Sequence, residues 1–406
     1  MSRAMPSGAS SPIITVVCLG IVQILAWGSS FYFPAVLAAP IVADTGWPLS
    51  AVVGGVSVGL LVGGLISPKV GALIAHRGGR PVLAASSLLF AAGLAGIGLS
   101  PSVPFYLAAW VIVGLGMGTG LYDAVFAALG RRYGQAARGP ITHLTLFGGF
   151  ASTVCWPLSA FLVESIGWRG TCFTYAALHL ALALPLQLFA MRGASAPAPD
   201  AAASSSNEAA GRELATTVPH QTAILILIAL ILSIAAGIGS IIVVHLLIVL
   251  QARGLDFASA VALGKLFGPA QIAARVVESL AGSRYHPIWT LVASVSLMAI
   301  GLLLLLSEWP VIALAVILYA AGYGISWIAR GTLPLAIFGA VRFPVLMGRI
   351  AMPSLIIQAL APAAGALGIE HAGISPTLAI LSAFAILNVA LVIALSLRLR
   401  SAQSAI

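Results

Sequence analysis

Twelve apolar runs punctuate the chain, at about 13–38, 50–75, 81–100, 104–129, 140–164, 170–191, 222–251, 257–281, 286–306, 309–339, 344–367 and 374–397. A helix needs about 20 residues to cross the hydrocarbon of a bilayer, and these runs have that length. They are apolar on all sides, whereas a barrel strand takes about ten residues of alternating character. The pattern therefore predicts helices. Most joints between runs are short. The exception is 192–221, rich in Ala, Ser and Pro with scattered charge at Asp200, Glu208, Arg212 and Glu213. Such a composition cannot bury enough apolar surface to fold, so it predicts a flexible linker. The expected organisation is an all-α membrane protein of twelve transmembrane helices in two pseudo-symmetric six-helix bundles, 1–191 and 222–406, joined by the linker 192–221.

Composition agrees with that pattern. Of the 406 residues, 60% are hydrophobic and 7% charged, against about 25% charged in a soluble domain. The net charge of +9 does not point to nucleic acid, because the basic residues sit in short turns and form no patch with interleaved aromatics. Cys18, Cys155 and Cys172 lie in or beside apolar runs without paired spacing, which predicts neither a disulfide framework nor a metal site. The first run, at about 25 residues, exceeds a signal-peptide core and reads as an uncleaved helix.

Counting Lys and Arg orients the chain. One set of run ends holds Arg3, Lys69, Arg77, Arg80, Arg131, Arg132, Arg138, Arg192, Arg212, Arg284, Arg342, Arg349, Arg398 and Arg400; the opposite set holds only Arg169 and Arg253. The far ends instead carry Asp44, Glu164, Asp256, Glu308 and Glu370. Both termini and the linker are therefore expected on the cytoplasmic side of the inner membrane. Lys265, Arg275, Arg330, Asp123 and Glu278 remain inside the runs. The halves also echo one another: Gly114-x-Gly116-x-Gly118 in run 4 and Gly322-x-Gly324 in run 10 each lead to a glycine-bearing loop, at Gly139 and Gly348. Internal symmetry of this kind marks duplicated transporters.

Six plus six helices around a central loop resembles the major facilitator superfamily. The segment Gly71-Ala72-Leu73-Ile74-Ala75-His76-Arg77-Gly78-Gly79-Arg80 resembles that family's loop signature in its glycines, its leucine and its last arginine; Ala75 and His76 stand where the family has an acid and an arginine. By this resemblance Gly71, Gly78 and Arg80 belong to a conformational loop. Within the superfamily, three stretches resemble the monocarboxylate-porter-like branch. They are Ser30-Phe31-Tyr32-Phe33-Pro34 with Gly46-Trp47; Arg131-Arg132-Tyr133 through Arg138-Gly139 with Pro157 and Gly167-Trp168-Arg169; and Gly268-Pro269-Ala270-Gln271-Ile272-Ala273-Ala274-Arg275. The branch's acid four residues before the arginine is Gln271 here, and its helix 1 lysine is Ala35.

A charge inside the hydrocarbon costs from about 2.5 to over 10 kcal/mol, so each intramembrane ion is a functional candidate. The resemblance implies that Arg275, with Gln271, binds a substrate carboxylate; the bland reading is an arginine that snorkels to headgroups or pairs with Glu278 at i+3. By family analogy, Asp123 and Arg330 form an ion pair between the halves that closes the cytoplasmic gate; the alternative is that each is satisfied within its own half. Lys265 either draws anions into the outer vestibule or snorkels outward. His245 titrates near neutral pH or packs through a hydrogen bond; His143 and His179 are weaker candidates. Gln23, Trp27, Tyr32, Tyr122, Tyr323 and Trp327 lie on runs 1, 4 and 10, which line the cavity in this family, and they are substrate contacts or packing aromatics. Gly55-x-x-x-Gly59-x-x-x-Gly63 stacks small residues on one helix face and is expected at a sliding interface between the halves.

No nucleotide-binding loop is present, nor a nucleophile with its base, nor a clustered set of metal ligands. No enzymatic activity and no cofactor are expected. The expected function is secondary active transport by alternating access, of a small anionic substrate such as a monocarboxylate. A proton or counter-substrate serves as the coupled partner, and membrane lipid surrounds a monomer. The rivals are proton-coupled efflux of toxic small molecules and, from another class, a non-transporting membrane sensor.

Overall fold

Each apolar run forms a helix, and each loop that holds Gly at positive φ ends one. The computed structural model describes residues 11–193, 219–307 and 309–403. Most of the expected linker, together with Arg3, Arg212 and Glu308, lies outside the described residues. Span α1 has two pieces, Pro12–Gly28 and Pro34–Thr45, followed by α2, Leu49–Arg77, and α3, Gly79–Leu99. Span α4 is Val103–Gly120 plus Tyr122–Tyr133. Span α5 is Arg138–Gly149 plus 151–166, parted from α6 (168–190) by Gly167 at φ 72°. In the second half come α7, Pro219–Ala252; α8, Phe257–Gly264 plus Phe267–Ala281; α9, Pro287–Leu306; α10 (312–338) and α11 (340–372), separated at Gly339 with φ 75°; and α12, Ile374–Gln403. Among the described residues, eight continuous helical stretches are long and apolar enough to cross a membrane, two of them (Val103–Ala190 and Ile312–Ala372) holding several of these spans. With the broken α1, the spans number twelve among the described residues.

Four spans expected to be continuous are broken near mid-depth. Span α1 turns through 29–33, where the Ser29 and Ser30 hydroxyls donate back to the Leu25 and Ala26 carbonyls at 2.8 and 2.5 Å. Span α4 breaks at Leu121 (φ −80°, ψ −175°). Span α5 breaks after Gly148-Gly149, and α8 around Lys265-Leu266. Irregular backbone at membrane depth survives only where protein satisfies its polar groups, as the Ser29 and Ser30 hydroxyls do at the α1 turn.

The two halves repeat each other in detail. Gly93 of α3 lies so close to Ala109 and Val113 of α4 that an added Cβ would sit 2.8 Å from the Val113 nitrogen; Gly301 of α9 meets Ala315 and Tyr319 of α10 in the same way, at 2.6 Å from the Tyr319 nitrogen. Gly116 packs on Phe90 of α3 and Gly118 on Ile66 and Gly63 of α2, just as Gly322 packs on Ser294 and Met298 of α9 and Gly324 on Gln271 of α8. Along α4 and α10 the equivalent positions 109/315, 113/319, 116/322 and 118/324 share one offset of 206 residues, and Gly93 and Gly301 stand 208 apart.

One expectation is corrected here. The Gly55-Gly59-Gly63 face does not slide between halves. Gly55 lies against Trp110, Gly59 against Met117 and Trp110, and Gly63 against the Gly114 carbonyl, all within the first half. The face that meets the second half is the next one round. Gly64 approaches Leu355 and Met352, a Cβ on Gly71 would stand 2.4 Å from the Pro344 carbonyl, and one on Gly348 would stand 2.2 Å from the Ser67 carbonyl. Side chains at i, i+4 and i+8 fix one face of a helix, but which neighbour that face meets is decided by the tertiary arrangement.

Candidate functional site

The breaks place the intramembrane charges. Asp123 lies in the first turn of the second piece of α4, where the helix dipole favours a carboxylate. The carbonyl of Gly120, freed by the break, accepts from the Gln23 side-chain amide at 2.7 Å. The indole N–H of Trp27 in turn donates to the Gln23 oxygen at 3.2 Å. Across the interface, Arg330 of α10 grips Asp123 with two parallel bonds, Nε to Oδ1 at 2.6 Å and Nη2 to Oδ2 at 2.9 Å. A forked pair of this kind is among the strong charge-assisted geometries. Arg330 also lies 5.5 Å from the ring of Trp327, one turn before it.

Arg275 occupies a different setting. Its side chain is buried, at 3% exposure. Its Nη1 donates to the Thr145 carbonyl of α5 at 2.6 Å, Nε to the Gly324 carbonyl of α10 at 2.9 Å, and Nη2 to the Gln271 oxygen at 3.4 Å. Thr145 sits in the last turn of the first piece of α5, toward the negative pole of that piece. Gly149 is what lets the guanidinium in, since a Cβ there would lie 2.9 Å from Nη1. Both bland readings of Arg275 fail. It does not reach the surface, and it does not pair with Glu278, whose carboxylate accepts from the Tyr285 hydroxyl and, at 2.6 Å, from the Thr290 hydroxyl. Among the described residues Arg275 makes no ion pair, so its charge is held by neutral oxygens alone.

Aromatic rings fill the space between these groups. Trp27 lies 5.1 Å from Tyr122 and 5.5 Å from Trp327, and Tyr323 lies 6.3 Å from Trp327. The Tyr122 hydroxyl shares the Thr145 carbonyl with Arg275, at 3.3 Å. Tyr32, in the α1 turn, joins through Phe31 at 5.2 Å and faces Trp156 at 6.1 Å. A central cavity of about 10 Å³ remains between Trp27, Tyr122, Asp123, Ser67 and Trp327, room for about one water. The structure thus brings Gln23, Trp27, Tyr122, Tyr323, Trp327, Asp123 and Arg330 together, and sets Arg275 with Gln271 beside them.

Other candidates stand apart. Lys265 is exposed at the α8 break. His245 contacts the Pro362 carbonyl of α11 at 3.0 Å, and neighbouring Ser240 donates to the Gln358 carbonyl at 3.0 Å, which Pro362 leaves without its helical donor. His143 is exposed on α5. His179 is fully buried in the π-bulge of α6, 2.9 Å from the Ser29 hydroxyl and stacked on Phe90. Gly78 turns the chain between α2 and α3 at φ 83°, and Arg80 is exposed beyond it. Sequence reasoning missed Thr145 and Gly149. Thr145 contributes only a backbone carbonyl, and the one signal available was the Gly148-Gly149 pair beside it.

Polar contacts between the halves cluster toward the arginine-rich end. They include Asp123 with Arg330, Arg275 with Thr145, Gln135 with the Leu335 carbonyl at 3.5 Å, and Arg138 with the carbonyls of Gly282 and of Tyr285, the latter at 2.7 Å. With Gly71 and Gly348 seated on backbone, the basic end is closed in this structure.

The family described as Major Facilitator Superfamily matches residues 19–284. Among solved structures, the chain is similar to the human organic anion transporter MFSD10, at 16% identity and TM-score 0.69, covering 94% of this chain and 99% of that one. It is similar to the proton:xylose symporter XylE at 14% identity and TM-score 0.67, covering 93% and 94%. It is also similar to FucP, a major facilitator transporter in the outward conformation, at 14% identity and TM-score 0.71, covering 95% and 99%. No curated protein sequence matches the chain.

Proposed function

Because this chain belongs to the major facilitator superfamily, a family of transporters and not of enzymes, we propose that it is a secondary active transporter of a small organic anion, with Arg275 as the group that receives the substrate carboxylate. The fold leaves the substrate open, since its solved neighbours include both an organic anion transporter and a xylose symporter. The choice rests on one observation: a buried guanidinium satisfied by the Thr145 carbonyl, the Gly324 carbonyl and Gln271, with no carboxylate of the described residues paired to it. An uncompensated buried charge costs several kcal/mol, and a bound carboxylate relieves that cost. The planar fork of arginine suits two-point recognition of a carboxylate.

In this reading 1–191 and 222–406 are the two rocking units, 192–221 links them, and the arginine-rich end faces the cytoplasm of the cell that carries the protein in its inner membrane. Asp123 and Arg330 hold the cytoplasmic gate shut, and the rings of Trp27, Tyr122 and Trp327 form its lid. Opening toward the cytoplasm requires Arg330 to leave Asp123 and Arg275 to leave Thr145. A carboxylate on Arg275 competes with the Thr145 carbonyl, and protonation of Asp123 weakens its bond to Arg330. Substrate and proton thus loosen the same closure. Thermal unfolding of the purified protein with a panel of small monocarboxylates and their neutral amides tests the assignment. The carboxylates are expected to raise the midpoint, the amides to leave it unchanged, and Arg275→Gln to abolish the difference. Equal stabilisation by the amides contradicts it.

A second reading is favoured by the aromatic cage beside Asp123: proton-coupled efflux of toxic apolar molecules, with Asp123 as the proton site. Loss of resistance on deletion of the gene, without carboxylate uptake in vesicles carrying an inward proton gradient, is the outcome that reading predicts.

A further inference from the structure

A cleft of about 470 Å³ opens between the halves at the basic end, beyond the site just described. Arg138, on its wall, lies seven residues of α5 before Thr145, about 10 Å at 1.5 Å per residue. The first half contributes Gln135 and Arg138; the second contributes Arg284 and His286 from the α8–α9 loop, and Thr332 and Ala336 from α10. The cleft falls in the size range of small-molecule sites, and among the described residues no carboxylate lines it. Glu278, bonded to Tyr285 of its wall, is already engaged by the hydroxyls of Tyr285 and Thr290.

Two arginines, a histidine and a helix N-terminus gather at this cleft. Arg138 reaches across the interface to the carbonyls of Gly282 and Tyr285. Arg284 is exposed and, among the described residues, has neither a hydrogen bond nor an ion pair. His286 caps α9: its Nδ1 accepts the Ile288 N–H at 3.2 Å, which leaves Nε2 free to donate. The N-terminal pole of α9, a 20-residue helix, adds its partial positive charge at the same place. Burial, and after it the Arg138 guanidinium, hold His286 below the ordinary imidazole pKa.

We infer that this cleft is a second anion site, distinct from the transport site, which takes a phosphate-bearing small molecule bridging Arg138 on one half to Arg284 and His286 on the other. Its occupant fastens the two halves together at the basic end. It therefore slows opening on that side and makes transport answerable to the anion content of that compartment.

The test reads accessibility and not transport, so it stands or falls apart from the substrate assignment. Ala336→Cys places one thiol on the exposed wall of the cleft, against a background in which Cys18, Cys155 and Cys172 are buried. The full-length protein in nanodiscs is treated with a polar maleimide, with and without inorganic pyrophosphate, at ionic strength matched by chloride. At pyrophosphate about ten times its dissociation constant, mass action predicts labelling slowed about tenfold. Adding Arg284→Gln and His286→Gln is expected to abolish that protection, read as the ratio of labelling rates with and without pyrophosphate in the same variant. The same comparison in nanodiscs with and without phosphatidylglycerol separates a soluble phosphate from a lipid headgroup; protection by that lipid alone, abolished by the same two substitutions, assigns the phosphate to the membrane. Protection by chloride at the same strength, undiminished protection in the substituted protein, or no protection by either phosphate source overturns the inference.

Discussion

Asp123 and Arg330 come from opposite halves of the chain, and their two bonds at 2.6 and 2.9 Å are both largely buried. Removing one partner of such a pair costs about 3–5 kcal/mol, so Asp123→Asn and Arg330→Gln are each expected to reduce transport at least tenfold in a proteoliposome assay. The exchange Asp123→Arg with Arg330→Asp restores part of the loss and not all of it, because the helix N-terminus at Tyr122 favours an acid over an arginine. An exchange no better than either single change removes the gating role. At Arg275, Lys supplies the charge without the fork and cannot span the Thr145 and Gly324 carbonyls together. Arg275→Lys is expected to keep carboxylate selectivity with KM raised about tenfold, a loss of about 1.4 kcal/mol, whereas Arg275→Gln loses both. These charges were legible in the sequence because a charge in an apolar run is costly. Their partners were legible only where the partner was itself a charged side chain. The oxygens of Thr145 and Gly324 belong to the backbone and carry no residue signature, and the i+3 spacing of Glu278 pointed to a bond that the Tyr285 and Thr290 hydroxyls take instead.

At the level of the helices, function depends on where they stop. The break at Leu121 gives Asp123 its helix terminus, and Gly149, at the end of the first piece of α5, leaves Arg275 room to reach the Thr145 carbonyl. A Cβ on Gly148 would stand 1.8 Å from the Tyr122 hydroxyl, so Gly148→Ala must displace a ring that touches both Trp27 and Trp327. Overpacking of this kind costs about 1–3 kcal/mol. A lowered thermal midpoint, with a smaller shift on adding substrate, is the expected result; an unchanged midpoint would show that the ring moves freely. The twelve runs and their order were plain from hydropathy alone. The breaks were not, because glycine is common in membrane helices, and Gly148-Gly149 sits in an apolar run that reads as continuous. The glycine stripe of α2 shows the complementary limit: the sequence marks a face built for close approach without naming the helix that approaches it.

For the molecule as a whole, the closed basic end rests on the α2–α11 crossing as well as on the ion pair. Gly71→Ala drives a methyl toward the Pro344 carbonyl, whereas Gly59→Ala presses only on Met117 and Trp110 within one half. Gly71→Ala is therefore expected to bias the protein toward opening at the basic end, read as faster labelling of Ala336→Cys, while Gly59→Ala lowers stability without changing that rate. Equal effects from the two would mean that the halves do not part along this crossing. The central claim is that an organic anion crosses the membrane through this interface on Arg275. Counterflow in proteoliposomes tests it most directly: vesicles loaded with unlabelled monocarboxylate are diluted into trace label. The account predicts transient accumulation of label with the unaltered protein and none with folded Arg275→Gln. Accumulation no greater than in empty vesicles across the carboxylate panel, or equal accumulation with Arg275→Gln, contradicts it.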